Sequence, residues 1–156
     1  VMLPSYPAST FPNHYTLATG LVPDHHGIIN NTFWDVKNRR QYSMGDSATR
    51  NNPEYYLGEP IWITAQKQGV KTGNMYWVGS DIAIKKSHPT YYRPWNAKPF
   101  LTFEQRIDTV LTWLQKPVPG SSCYILKSLT EADITTARAV CLPVRWSNTW
   151  TALWGY

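Results

Sequence analysis

The sequence predicts an α/β fold. Three observations carry it. A short helix closed by Gly20 opens the chain, a helix–glycine–strand unit occupies residues 59–77, and an amphipathic helix covers residues 101–115. A helix, a glycine and then an apolar strand make up the repeating unit of a sheet with helices packed on it.

The first helix lies in Pro7-Ala8-Ser9-Thr10-Phe11-Pro12-Asn13-His14-Tyr15-Thr16-Leu17-Ala18-Thr19-Gly20. Ser9 and Thr10 are N-cap residue types, and Pro12 suits a first turn because its missing N–H would be an orphan there. Gly20 is a natural stop. Thr10 then sits at the positive end of a helix dipole, a place that attracts phosphate. Most hydroxyls in such a position only cap the helix. A nucleophilic role needs a device that lowers the hydroxyl pKa, usually a metal ion.

Residues 20–27 form a turn-rich connection. Asp24, His25 and His26 invite a metal-site interpretation, but adjacent histidines in a loop rarely point at one ion. Residues 32–58 are polar and irregular, expected to form a surface excursion that could hold a short strand. Pro60 opens the second helix, Gly69 ends it, and Val70 to Trp77 continues as a strand with Met75, Tyr76 and Trp77 at its buried end. Trp77-Val78-Gly79-Ser80 falls at the C-terminal end of that strand, where open α/β sheets place ligands. The stretch from Ile84 to Trp95 is expected to be an aromatic loop. Its rings could stack on a base or on one another. In the last helix Phe103, Ile107, Val110, Leu111 and Leu114 form the apolar stripe. Thr102 and Gln105 are spaced as a capping box, and Asp108 lies on the solvated side.

Composition bounds the function. The chain has 156 residues, 8 Trp, 10 Tyr and a net charge of +5, so anionic partners are favoured. Its basic residues are scattered without a run, which argues against a nucleic-acid duplex. There is no apolar run long enough to span a membrane. Cys123 and Cys141 have no metal-ligand spacing. His14, His25, His26 and His88 are expected to be structural or surface residues.

The string Pro4 to Asn31, with Thr10-Phe11-Pro12-Asn13-His14-Tyr15 at its centre, closely resembles the nucleotide pyrophosphatase/phosphodiesterase family of the alkaline phosphatase superfamily. The resemblance runs on through Trp77-Val78-Gly79-Ser80, with Val78 where the family has Pro, to about Lys116. It implies part of an alkaline-phosphatase-like sheet with helices on both faces, incomplete at both ends. It also implies hydrolysis of a phosphodiester or pyrophosphate bond in a nucleotide or other small diester. Thr10 would be the nucleophile and a ligand of zinc, with Asn31 donating to a phosphate oxygen. Phe11 and, by spacing, Trp95 would sandwich the base, with Tyr91 and Tyr92 competing for the second place. Family members hold two zinc ions, act outside the cytoplasm, and take their other metal ligands from segments this chain does not write. Val1 is not an ordinary start, so an internal or truncated piece is expected.

After Lys116 the pattern changes. Pro117-Val118-Pro119-Gly120 is a breaker cluster, with no convincing strand–helix alternation beyond it. Read from third codon bases, Cys123 to about Arg138 is compatible with Leu-Tyr-Phe-Glu-Glu-Pro-Asp-Gly-Ser-Gly-His-His-His-Gly-Pro-Arg, the family segment otherwise missing. Residues 1–116 are therefore expected to be a partial catalytic domain. Residues 117–156 are expected to be a divergent tail, out of frame after a shift between about Gln115 and Gly120, with a genuine tail as the other possibility. The enzyme fragment would have little or no activity. The alternative is a non-catalytic, aromatic-rich module that binds nucleotides or glycans.

Overall fold

The computed structural model describes residues 3–94, 96–115, 122–126 and 138–140, the last two groups and Gln115 by backbone alone. Trp95 and Cys141 lie outside them.

Helix α1 spans Thr10–Thr19 and ends at Gly20, whose φ of 70° lets its N–H reach Thr16 O at 2.8 Å. A single turn, α2 (Pro23–His26), stops at Gly27 with φ 88°. Strands β1 (Thr32–Asp35) and β2 (Arg40–Ser43) then pair antiparallel, Phe33 opposite Tyr42 and Trp34 opposite Gln41. The sequence suggests a surface excursion here, yet this region supplies core. Phe33 stacks on Tyr42 at 4.6 Å, Tyr55 meets both rings edge-on, and Tyr42, Tyr55 and Tyr56 are buried. Period-two alternation is hard to read in strands of four residues where Phe33 and Tyr42 alone mark the inner face. Helix α3 (Ser47–Arg50) follows, with Asp46 accepting the Ala48 N–H at 3.0 Å as its cap.

Helix α4 (Ile61–Lys67) begins after Pro60 and is shorter than its sequence pattern. Strand β3 (Lys71–Met75) stops two residues before the expected Trp77, because Tyr76 takes a left-handed φ of 57°. That single residue breaks the pleat. Met75 and Tyr76 both join Val110 and Trp113, while Trp77 joins the cluster of Phe11, Tyr15, Ile28, Trp62 and Ile63. A bulky residue at positive φ persists only where its surroundings fix it. Here the Tyr76 N–H donates to Arg93 O at 2.8 Å, its hydroxyl accepts from Leu101 N at 3.4 Å, and the Arg106 guanidinium lies 5.2 Å from its ring.

The expected aromatic loop contains a strand, β4 (Tyr91–Arg93), parallel to β3 with Tyr91 opposite Gly73 and Arg93 opposite Met75. The open edge of β3 offers unpaired N–H and C=O groups, and Tyr-Tyr-Arg has the β propensity to satisfy them. Helix α5 (Phe103–Gln115) has its capping box in place. Thr102 N–H donates to Gln105 Oε1 at 2.9 Å, and Gln105 N–H reaches Thr102 Oγ1 at 3.4 Å. Its buried side differs from the expected stripe. Val110 and Trp113 are covered, with Leu114 packed beside them, whereas Phe103, Ile107 and Leu111 face outward. The helix has rolled toward Trp113, whose ring stacks on Tyr91 at 5.9 Å.

Strand β5 (Ser122–Leu126) lies parallel to β3, so α5 serves as the crossover that parallel neighbours require. Strand β6 (Arg138–Val140) pairs antiparallel with β5. The sheet order is β4-β3-β5-β6. Two short strands thus fall in the tail where the sequence offers no clear pattern. Helices α4 and α5 both pack on β3 and α1 packs on α4, in two separate clusters, the α/β arrangement predicted.

Candidate functional site

The N-terminal end of α1 is built by side chains from three places. Ser9 has the extended backbone of an N-cap, but its side chain does not cap. Its hydroxyl donates to Asn30 Oδ1 at 3.0 Å, which also accepts the Asn31 N–H at 2.8 Å. The capping falls to Asn31, whose Oδ1 accepts the Phe11 N–H at 2.9 Å. An amide whose oxygen is taken by a helix N–H keeps its Nδ2 as a separate donor.

Asn13, inside the helix, fixes the approach. Its Nδ2 donates to Ser5 O, Pro7 O and Ser9 O at 3.3, 2.9 and 3.0 Å, while its Oδ1 accepts the Ser5 N–H at 2.8 Å. The loop ahead of Thr10 is therefore tied to the helix that follows it. His14 Nδ1 donates to Thr10 O at 2.7 Å, and its ring meets Trp77 edge-on at 5.4 Å. One turn of helix thus links half-buried Thr10 to the residue just past the C-terminal end of β3. No acidic residue in the first turn of α1 offsets the positive end of its dipole.

Of the residues expected in the site, Thr10, Phe11 and Asn31 are brought together. Phe11 is only 5% exposed and belongs to the core cluster. Tyr91 is half-buried against Trp113. Tyr92 is 40% exposed, with its ring stacked on His88 at 5.2 Å and 9°. Trp95 is outside the described residues. Arg93 O accepts from Tyr76 N, which holds the C-terminal ends of β3 and β4 together, and α1 reaches the turn after β3 through the His14–Trp77 ring contact.

His26 is fully buried. Its Nδ1 accepts from Ile28 N at 3.2 Å, so Nε2 carries the proton toward Thr16 Oγ1 at 3.0 Å. Burial pushes its pKa below the ordinary imidazole value, and both ring nitrogens are engaged. Asp24 and His25 are exposed. Among the described residues no group of three His, Cys, Asp or Glu side chains could hold a metal ion. Ser80 closes the turn after β3, its hydroxyl donating to Trp77 O at 2.7 Å. Burial raises the Asp81 pKa, partly offset first by a hydrogen bond from its own backbone and then by Arg50 and His88.

Asn13 and Asn30 escape the residue-by-residue reading of the sequence, whereas His14, expected to be structural or surface, is buried and structural. The available signal was Asn13 itself, an asparagine inside a helix, where the residue is unfavourable unless its side chain has a task.

Comparison with known proteins points one way. The family described as type I phosphodiesterase / nucleotide pyrophosphatase matches residues 1–138, past the point where the legible motifs stop. Ectonucleotide pyrophosphatase/phosphodiesterase family member 1 of Homo sapiens is 48% identical over 132 residues, covering 85% of this chain and 14% of its own length. Venom phosphodiesterase 2 of Crotalus adamanteus is 41% identical over 130 residues, covering 83% of this chain and 16% of its own. Among solved structures, murine ectonucleotide pyrophosphatase/phosphodiesterase 5, in an inactive threonine-to-alanine form in complex with AMP, superposes with a TM-score of 0.72 at 32% identity. That match covers 85% of this chain and 34% of the other. The chain thus spans about a seventh of the length of the curated relatives it matches, 14% for the human protein.

Proposed function

The chain belongs to the type I phosphodiesterase / nucleotide pyrophosphatase family, and from that premise we propose that residues 5–31 form the nucleophile and phosphate-holding half of a site that hydrolyses phosphodiester or pyrophosphate bonds in nucleotides. The observation that carries the reading is the cap on α1. With Asn31 Oδ1 taken by the Phe11 N–H, Nδ2 is left to donate to a phosphoryl oxygen at the positive end of the helix. Thr10 Oγ is then the attacking atom. It forms a bond to phosphorus as the leaving oxygen departs, and water later frees the nucleoside monophosphate from the phospho-threonine. A relative described as inactive with a threonine replaced, and in complex with AMP, supports this assignment.

The family's zinc pair, when bound, activates the attacking oxygen and offsets charge on the phosphoryl group. Thr10 is the one expected ligand among the described residues, and no three acidic, histidine or cysteine side chains converge there. The described residues do not fit the pair. A threonine hydroxyl without an activating partner keeps its proton at neutral pH. The chain by itself therefore turns over little or no substrate. Residues 117–156 are, on the same reading, translated out of frame. Sequencing the coding DNA across the codons for Gln115 to Gly120 tests this, and a single uninterrupted family frame there sinks it. Action outside the cytoplasm follows from the same family premise, and among the described residues no helix is long and apolar enough to cross a membrane. Secretion of a tagged full-length product is the check on location.

Tyr92, exposed and already stacked on half-buried His88, favours a second reading, a module that binds nucleotides by base stacking without catalysis. One experiment separates the two. The purified chain, supplied with zinc, is assayed on a nitrophenyl nucleotide ester and titrated with AMP. The expected result is no turnover above the Thr10→Ala background, with AMP binding weakened in Asn31→Ala. Turnover lost in Thr10→Ala overturns the claim of an incomplete site. Zinc-independent AMP binding that ignores Asn31 but requires Tyr92 favours the module.

A further inference from the structure

The outer face of the β1–β2 hairpin has a chemistry that the nucleotide site does not use. Its inner face is fastened by the Phe33, Tyr42 and Tyr55 rings. On the outer face Trp34 is 61% exposed, and Val36 at the start of the turn is 79% exposed. Exposed Lys37 and Arg39 follow within three residues of Val36, and neither joins an ion pair among the described residues. The one carboxylate of the hairpin, Asp35, bridges Tyr55 and the exposed turn. It accepts from Tyr55 Oη and Asn38 Nδ2, each at 2.7 Å, and from the N–H groups of Lys37 and Asn38. Tyr55 and then Asn38 hold its pKa at about 2. Arg40 points back to Tyr55 Oη at 3.2 Å. The tip is thus a tied turn presenting an indole, a branched alkyl group and two cations, beside one hydrogen-bonded carboxylate that stays ionised and leaves the cations in excess.

We propose that this hairpin docks the chain on an anionic phospholipid surface. An indole prefers the boundary between headgroups and acyl chains, where its apolar body and polar N–H are both served. Lysine and arginine beside it meet the anionic headgroups. A partner protein would have to desolvate Lys37 and Arg39 and supply carboxylates for them, whereas a headgroup layer keeps them hydrated. The tied turn adds little ordering cost on docking. None of this depends on the Thr10 reading.

Co-sedimentation of the full chain with phosphatidylcholine vesicles, with and without phosphatidylserine, tests it. The chain is expected to bind the phosphatidylserine vesicles, less at raised salt, and to leave pure phosphatidylcholine largely unbound. Lys37→Ser with Arg39→Ser should lower the partition constant about 30-fold, roughly five-fold for each cation. Trp34→Ser should weaken the same binding. These positions are exposed, so the variants keep the wild-type urea midpoint, and that melt is run alongside. Failure to bind either vesicle, equal binding to both, or full binding by the variants overturns the proposal. Retention on heparin without vesicle binding also overturns it, and assigns the hairpin to a soluble polyanion.

Discussion

Trp77→Ala lowers the stability of the folded chain by about 3–5 kcal/mol, the range for deleting a buried aromatic side chain. Urea denaturation reads this as a lower midpoint with an unchanged slope. Trp77 is 1% exposed, in the cluster that joins α1, α4 and the turn after β3. Its ring is also the edge-on partner of His14. The lost contacts therefore fall on the helix that carries Thr10. Trp77→Phe separates the contributions. Phenylalanine keeps an aromatic face toward His14 and removes an indole N–H that is buried with no protein partner, so its cost should stay near 1 kcal/mol. A loss below about 1 kcal/mol for the alanine variant would mean that the cluster closes over the gap, and the ring would not be the link described.

Gly27→Ala is the second large effect. The residue has a φ of 88°, and a Cβ built on it would lie 2.5 Å from Tyr55 O and 3.0 Å from Leu57 Cγ. The carbonyl is backbone and cannot swing away, and the neighbouring Leu57 N–H is bound to His26 O at 3.0 Å. Gly20 supplies the control. Its φ of 70° is similarly left-handed, but nothing lies within 4 Å of its Cβ position. Gly20→Ala should cost about 1–2 kcal/mol from backbone strain alone. Gly27→Ala should cost about 3–4 kcal/mol, the excess arising from the clash. Equal losses in thermal or urea melts would remove the clash from the account.

The helices were legible where local chemistry decides them. Gly20 closes α1, and the Thr102–Gln105 box opens α5, because both devices act within a few residues of chain. The sheet was less so. Tyr91–Arg93 is a strand only because β3 lies beside it, a relation written in no local pattern. The hairpin escaped because its strands are four residues each, too short to show a period, with Phe33 and Tyr42 alone on the inner face. The roll of α5 toward Trp113 depends on a partner ring, Tyr91, from another element. At the candidate site, Thr10 and Asn31 were named from a motif. The work of Asn13 and Asn30 could not be, since four of the hydrogen bonds involved run to backbone or side-chain atoms 6 to 21 residues away.

The cap on α1 comes from Asn31, and 20 positions separate it from the N–H it receives. A ten-residue helix is shorter than the length at which helices hold by themselves in water. During synthesis the Thr10 segment therefore leaves the ribosome without the group that finishes it, and waits for the next stretch of chain. The N-terminal end of α1 is finished by closure of a loop rather than by the helix alone. Until that closure, Thr10 is one hydroxyl among many on an unfinished chain.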